Sequence, residues 1–115
     1  MSFREWHFRI EDILDSISKI ERYISGKTFE EFLSDEMIWD AVIRNFITIG
    51  EAARNIPDEI TQAYPEIPWR LMSDLRNFVA HTYWGVNLRT IWDTIHNDLP
   101  PLAKQLQNIR NNLSQ

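Results

Sequence analysis

The segment WHFRIEDILDSISKIERYI, residues 6–24, sets its apolar side chains in alternating steps of four and three. Trp6, Ile10, Ile13, Ile17, Ile20 and Ile24 therefore fall on one face of a helix. Most acids between them lie on the opposite, solvated face. Ser2-Phe3-Arg4-Glu5 ahead of the stripe has the form of a capping box, and Ser25-Gly26 after it has the form of a stop. The rest of the chain repeats this period. Thr28-Phe29-Glu30-Glu31 offers a second capping box for a short helical turn, and Ser34-Asp35-Glu36 opens another long helix. That helix carries Ile38, Val42, Phe46, Ile49, Ala53 and Ile56, with a second row, Trp39, Ile43 and Ile47, one residue further round. A helix apolar over more than one face is either central in a bundle or shared with a partner subunit. Gly50 sits in its middle at a cost of about 1 kcal/mol relative to alanine, which points to close packing there.

Pro57, Pro65 and Pro68 mark residues 57–68 as the one long irregular connection. Leu71, Met72, Leu75, Phe78 and Val79 then continue helically, with a break at Gly85 and Asn87. Leu88, Trp92, Ile95, Leu99, Leu102, Leu106, Ile109 and Leu113 run on in fours and threes. Pro100-Pro101 must kink or restart that segment, with Asp98 as a cap. The reading is all-α: one domain over residues 1–115, an antiparallel bundle of about four to five helices.

Composition narrows the function. The 115 residues contain no cysteine, which excludes disulfide scaffolds, thiolate zinc sites and thiol catalysis. Three scattered glycines make no phosphate-cradling loop, there is no H-E-x-x-H, and His7 with Glu11 supplies only two ligands. No metal or cofactor is expected. No apolar run is long enough for a membrane span, and no secretory signal pattern opens the chain, so the expected location is the cytoplasm. The formal charge is −5, and it lies entirely in residues 1–40, which hold ten acids against five bases. The stretch from Trp69 to Trp92 holds Arg70, Arg76 and Arg89 against Asp74 alone. An acidic body with a local Arg/His site suits contact with a few phosphates rather than tight, non-specific duplex binding.

One segment carries chemistry: Arg76-Asn77-Phe78-Val79-Ala80-His81-Thr82-Tyr83. It pairs a permanent cation with the side chain that titrates near neutrality. R-x4-H alone is expected about 0.2 times by chance in this composition, and a Tyr two residues later lowers that to roughly 0.006. Arg89 and His96 match a looser spacing but lack both the Asn and the Tyr, and are set aside. As ordinary helix residues, Arg76 would pair with Asp74 or an acid of another helix, and His81 would cap or be buried. Tyr83 and Trp84 would be core or interface aromatics. Glu51 would be a buried partner of Arg76 or Arg70, or an orienter behind them.

R-N-x-x-x-H-x-Y near the end of a bundle helix resembles the signature of HEPN ribonucleases, and more narrowly that of HepT-like toxins of toxin–antitoxin pairs. Ile49-Gly50-Glu51-Ala52-Ala53, the Pro-rich connection, Trp69-Arg70 and Ile91-Trp92-Asp93 extend the resemblance over most of the chain. It implies a HEPN-like homodimer that cuts RNA without metal, with Arg76 and His81 catalytic. Asn77 precedes His81 by four residues, so on a helix it can reach the imidazole and fix its tautomer. Glu51 keeps the two readings its position allows, a buried partner or an orienter behind the site. The resemblance further implies that an MntA-like nucleotidyltransferase antitoxin attaches AMP to Tyr83. On a straight helix Arg76 and His81 would point roughly 140° apart. A bent helix, or two copies facing across a two-fold axis, would bring them together, and the resemblance implies the second. The rival reading is a non-catalytic accessory subunit that binds nucleotide or RNA for a nucleotidyltransferase. A purely structural helical adaptor would leave the polar motif without a role.

Overall fold

Two apolar rows on one helix need cover on more than one side, and the computed structural model supplies it. The structure describes the backbone of residues 3–80 and 87–113 and the side chains of residues 6–77 and 87–112. All secondary structure among the described residues is helical: α1 (Phe3–Ile24), α2 (Phe29–Leu33), α3 (Glu36–Arg54), α4 (Asp58–Ala63), α5 (Trp69–Ala80), α6 (Leu88–Asn97) and α7 (Leu99–Leu113). They form an antiparallel bundle. α3 packs most extensively against α1 and α5, and α2 also touches it. It is therefore the central helix. Val42, Phe46, Ile49, Ala53 and Ile56 are buried, while Trp39 and Ile47 of the second row are half-buried against the same core.

The predicted stripe of α1 is buried in full, from Trp6 to Ile24. At 22 residues this helix is about 33 Å long, most of the molecule's longest dimension of 43 Å. It ends at Gly26, whose φ of +74° is the left-handed turn that glycine adopts without strain. α2 starts on the expected capping box. The Glu31 amide donates to Thr28 Oγ1 at 3.1 Å, and the Thr28 amide donates to Glu31 Oε1 at 2.9 Å. Asp35 caps α3 by accepting from the Ile38 amide at 3.2 Å. The box expected at Ser2 lies outside the described residues.

Residues 57–68 differ from expectation. They contain the short helix α4, because Pro57 stands just before it with φ −60° and ψ 146°. At that place its missing amide costs nothing, and Asp58 and Glu59 occupy the favourable first turn. Two side-chain bonds help tie down the remaining turn. Trp69 Nε1 donates to the Tyr64 carbonyl at 3.0 Å, and Gln105 Nε2 donates to the Glu66 carbonyl at 3.1 Å. α5 thus starts from a fixed point, with Met72 and Leu75 fully buried.

The expected break in the last segment is a restart. The Asp98 amide closes α6 on the Thr94 carbonyl at 2.9 Å, and the Asp98 carbonyl accepts from the Leu102 amide at 3.3 Å. Pro100 and Pro101 fall in the first turn of α7, where no intrahelical amide is needed. Among the described residues five helices have ten residues or more, which meets the expected count; α2 is the expected short turn and α4 the addition.

The Glu31 carboxyl lies below its ordinary value of 4.5, chiefly through the bond from the Thr28 amide, then the Thr28 hydroxyl, with Lys27 adding to it. A depressed acid stabilises the fold above its unfolded value and loses that contribution as pH falls through the folded value. The Thr28 amide resonance should therefore titrate with a midpoint below 4.5; a midpoint at or above 4.5 would contradict the capping box.

Candidate functional site

The motif helix is amphipathic in a way that presents Arg76. Met72 and Leu75 turn into the core, whereas Arg76 and Asn77, the next two residues, are exposed. Among the described residues Arg76 makes no ion pair. Asp74, the nearest acid in sequence, faces Arg70 instead, at 4.0 Å between largely exposed side chains. Such a pair contributes little. The stem of Arg76 is held closely: a Cβ added at Gly50 of α3 would lie 3.0 Å from Arg76 Cβ. The arginine thus has an anchored root and, among the described residues, a cation in no ion pair, the arrangement suited to an external anion.

Glu51 is exposed, and its carbonyl accepts from Asn55 Nδ2 at 2.8 Å. It is not the buried partner of Arg76 or Arg70 that one sequence reading allowed. His81 and Tyr83 lie outside the described residues, as do Thr82, Trp84 and Gly85. α5 is helical as far as Ala80, the residue before His81.

The alternative Arg/His pair is occupied by local structure. Arg89 meets Asp93 at 3.3 Å and sits over the Phe29 ring at 4.8 Å. His96 Nδ1 lies 2.8 Å from the Trp92 carbonyl, and its ring packs on Trp92 at 4.4 Å. Trp92 in turn packs against Phe29 and Phe32. These residues dock α2 onto α6, which accounts for their composition without a ligand. Asn87, at φ 32°, makes the left-handed entry to α6.

Two surface grooves lie elsewhere. One of about 340 Å³ between α1 and α7 is lined by Glu11, Asp15, Glu21 and Arg110, among others. Its acids repel a polyanion. Another of about 370 Å³ between α1 and α3 includes Tyr23, Met37, Asp40 and Arg44. Neither includes Arg76, Asn77 or Glu51. No three His, Asp or Glu side chains converge as metal ligands among the described residues, and no helix there is long and apolar enough to cross a membrane.

Comparison with known proteins joins these observations. A family described as ribonuclease HepT-like matches residues 13–109, a span that includes α3, α5 and the whole Arg76–Tyr83 motif. The chain belongs to the HepT-like family. It is 41% identical over 101 residues to a protein of Thermococcus cleftensis named "Probable ribonuclease HepT", covering 88% of this chain and 92% of the relative. It is 39% identical over 98 residues to a Methanocaldococcus jannaschii protein named as a putative RNase, covering 85% of this chain and 81% of the relative. A Caldanaerobacter subterraneus protein of similar name is 35% identical over 100 residues, covering 87% and 89%. No solved structure matches the chain. Sequence reasoning placed Gly50 in a tight contact but did not find that the contact is with Arg76. A mid-helix glycine was the signal, and its partner could be known only from the packing of α3 on α5.

Proposed function

We propose that this HepT-like domain, residues 1–115, is a metal-independent RNA endonuclease and the toxin of a toxin–antitoxin pair. The observation that carries the reading is an exposed Arg76, unpaired among the described residues, at the head of an Arg-Asn-x-x-x-His-x-Tyr motif in a ribonuclease HepT-like chain. Its relatives' names support a ribonuclease.

The chemistry follows from the side chains. The Arg76 guanidinium grips the scissile phosphate through two parallel, charge-assisted hydrogen bonds and offsets the charge that grows on the pentavalent transition state. An unperturbed imidazole titrates at about 6.5, so a histidine is the side chain suited to exchanging protons near neutrality, and His81 is given that part. A neutral imidazole takes the proton of the ribose 2′-hydroxyl as that oxygen bonds to phosphorus. The bond from phosphorus to the 5′-oxygen breaks, and the imidazolium so formed passes its proton to that oxygen. The products are a 2′,3′-cyclic phosphate and a 5′-hydroxyl, with no electrons transferred. Asn77, four residues before His81, orients the imidazole. Glu51 stands as an outer residue of the same site.

Arg76 and His81 diverge on a straight helix, so the working site is formed by two copies of the motif in a homodimer. Tyr83 is seven residues from Arg76, a spacing that on an ideal helix would return to nearly the same face. AMP placed on its hydroxyl by an MntA-like nucleotidyltransferase adds negative charge and bulk that compete with RNA for Arg76. The cytoplasm, where RNA and ATP are both at hand, is the compartment this role requires.

Purified protein should cut a mixed-sequence RNA in the presence of EDTA. Arg76→Ala and His81→Ala should each lose at least about 100-fold in rate, while Arg89→Ala stays within about threefold because Arg89 serves α2 docking. Binding without cutting by the parent chain would favour the accessory-subunit reading, and wild-type cutting by His81→Ala would remove that residue from the mechanism. With a cognate nucleotidyltransferase and ATP, intact-mass analysis should show AMP added to Tyr83 together with loss of cutting. A Tyr83→Phe chain that is still modified and silenced would refute that assignment.

A further inference from the structure

Gly50 occupies a helix interior, where its backbone freedom has no use. It is not a positive-φ residue, unlike Gly26, so what α3 uses at this place is the missing side chain. An ideal Cβ there would lie 3.0 Å from Arg76 Cβ, 3.2 Å from the Arg76 amide nitrogen and 3.2 Å from the Met72 carbonyl oxygen. Carbon pairs sit best at about 3.5–4.0 Å. The atoms in the way are backbone and first side-chain atoms of α5, not the movable end of a long side chain. An added methyl can therefore be accommodated only by moving α5, at the turn from which Arg76 departs. Met72 and Leu75, fully buried on the same helix, resist that movement and confine the strain to this turn.

We infer that Gly50 is a positioning residue for Arg76. Its bare backbone lets the arginine stem rest against α3 and fixes the point from which the guanidinium reaches the phosphate. The inference rests on the role proposed above for Arg76 in RNA cleavage. A misplacement of 1 Å in a catalytic group costs on the order of 100-fold in rate. The shift required here is several tenths of an ångström, and the long arginine side chain can partly re-aim itself. The expected loss is accordingly about tenfold.

The test compares full-length wild type, Gly50→Ala, Ile49→Val and Arg76→Ala in single-turnover cleavage of a mixed-sequence RNA, with thermal melts alongside. Ile49 is fully buried next to Gly50, so its truncation loosens the same helix without adding an atom toward Arg76. Ile49→Val should lower Tm by roughly 5 °C and still cut within about twofold of wild type. Gly50→Ala should keep Tm within about 3 °C, because alanine's better helix propensity offsets the tighter contact. Its saturating cleavage rate should nevertheless fall about tenfold, with the half-saturating protein concentration changed less than about threefold. Three results would overturn the inference: Gly50→Ala cutting at the wild-type rate beside an inactive Arg76→Ala, Gly50→Ala failing to fold, or cleavage falling only in step with Tm in both helix variants. Wild-type cutting by Arg76→Ala would instead remove the parent reading, and this one with it.

Discussion

The structure depends on covering α3. A helix that is apolar on adjoining faces cannot remain at a surface without exposing one of them, and burial of a large aliphatic side chain is favourable by about 1.5–3 kcal/mol. α1 and α5 therefore close on it from different directions, and α2 fills a gap beside them. The two helices come close at Gly50, where α3 presents no side chain and an added Cβ would meet Arg76 and Met72 of α5. The same contact that completes the core also fixes the root of the motif arginine. Core and candidate site are joined at one pair of residues.

Much of this was legible in the sequence because helical burial is written in a local period. The α1 stripe needs only steps of four and three, and all six of its residues are buried. The Thr28 box and the Gly26 stop depend on chemistry within one turn and occur as read, and the start read at Ser34-Asp35-Glu36 takes the form of an Asp35 cap. α4 was missed because three prolines in twelve residues read as a loop, although Pro57 occupies the place before a helix where proline is harmless. In α6 the buried row runs through Ile91 and Ile95 while Leu88 and Trp92 stay half-buried. The indole is drawn instead to Phe29, Phe32 and His96, and no helical period within α6 encodes partners on another helix.

For the site, the sequence supplied the identity of the motif, and the fold supplied its separation from look-alikes. Arg89 and His96 have suitable chemistry, but Asp93, Phe29 and Trp92 already engage them. Arg76 has no such engagement among the described residues. Glu51 could be read as buried because it lies on an apolar helix, yet it is exposed, since a helix covered on several sides can still leave a polar strip. The net charge of −5 fits this localisation: the excess acids lie in residues 1–40, and the stretch from Trp69 to Trp92 that contains Arg76 has three arginines against Asp74 alone.

The central claim is that one guanidinium and one imidazole, from opposite copies of the chain, act on a single phosphodiester. Mixing two inactive variants, Arg76→Ala and His81→Ala, after subunit exchange tests it most directly. A mixed dimer then contains one composite site with both groups intact and one with neither, so an equal mixture should recover about a quarter of the wild-type cleavage rate. A mixture no more active than either variant alone, under conditions where exchange is demonstrated by mass, would contradict the account.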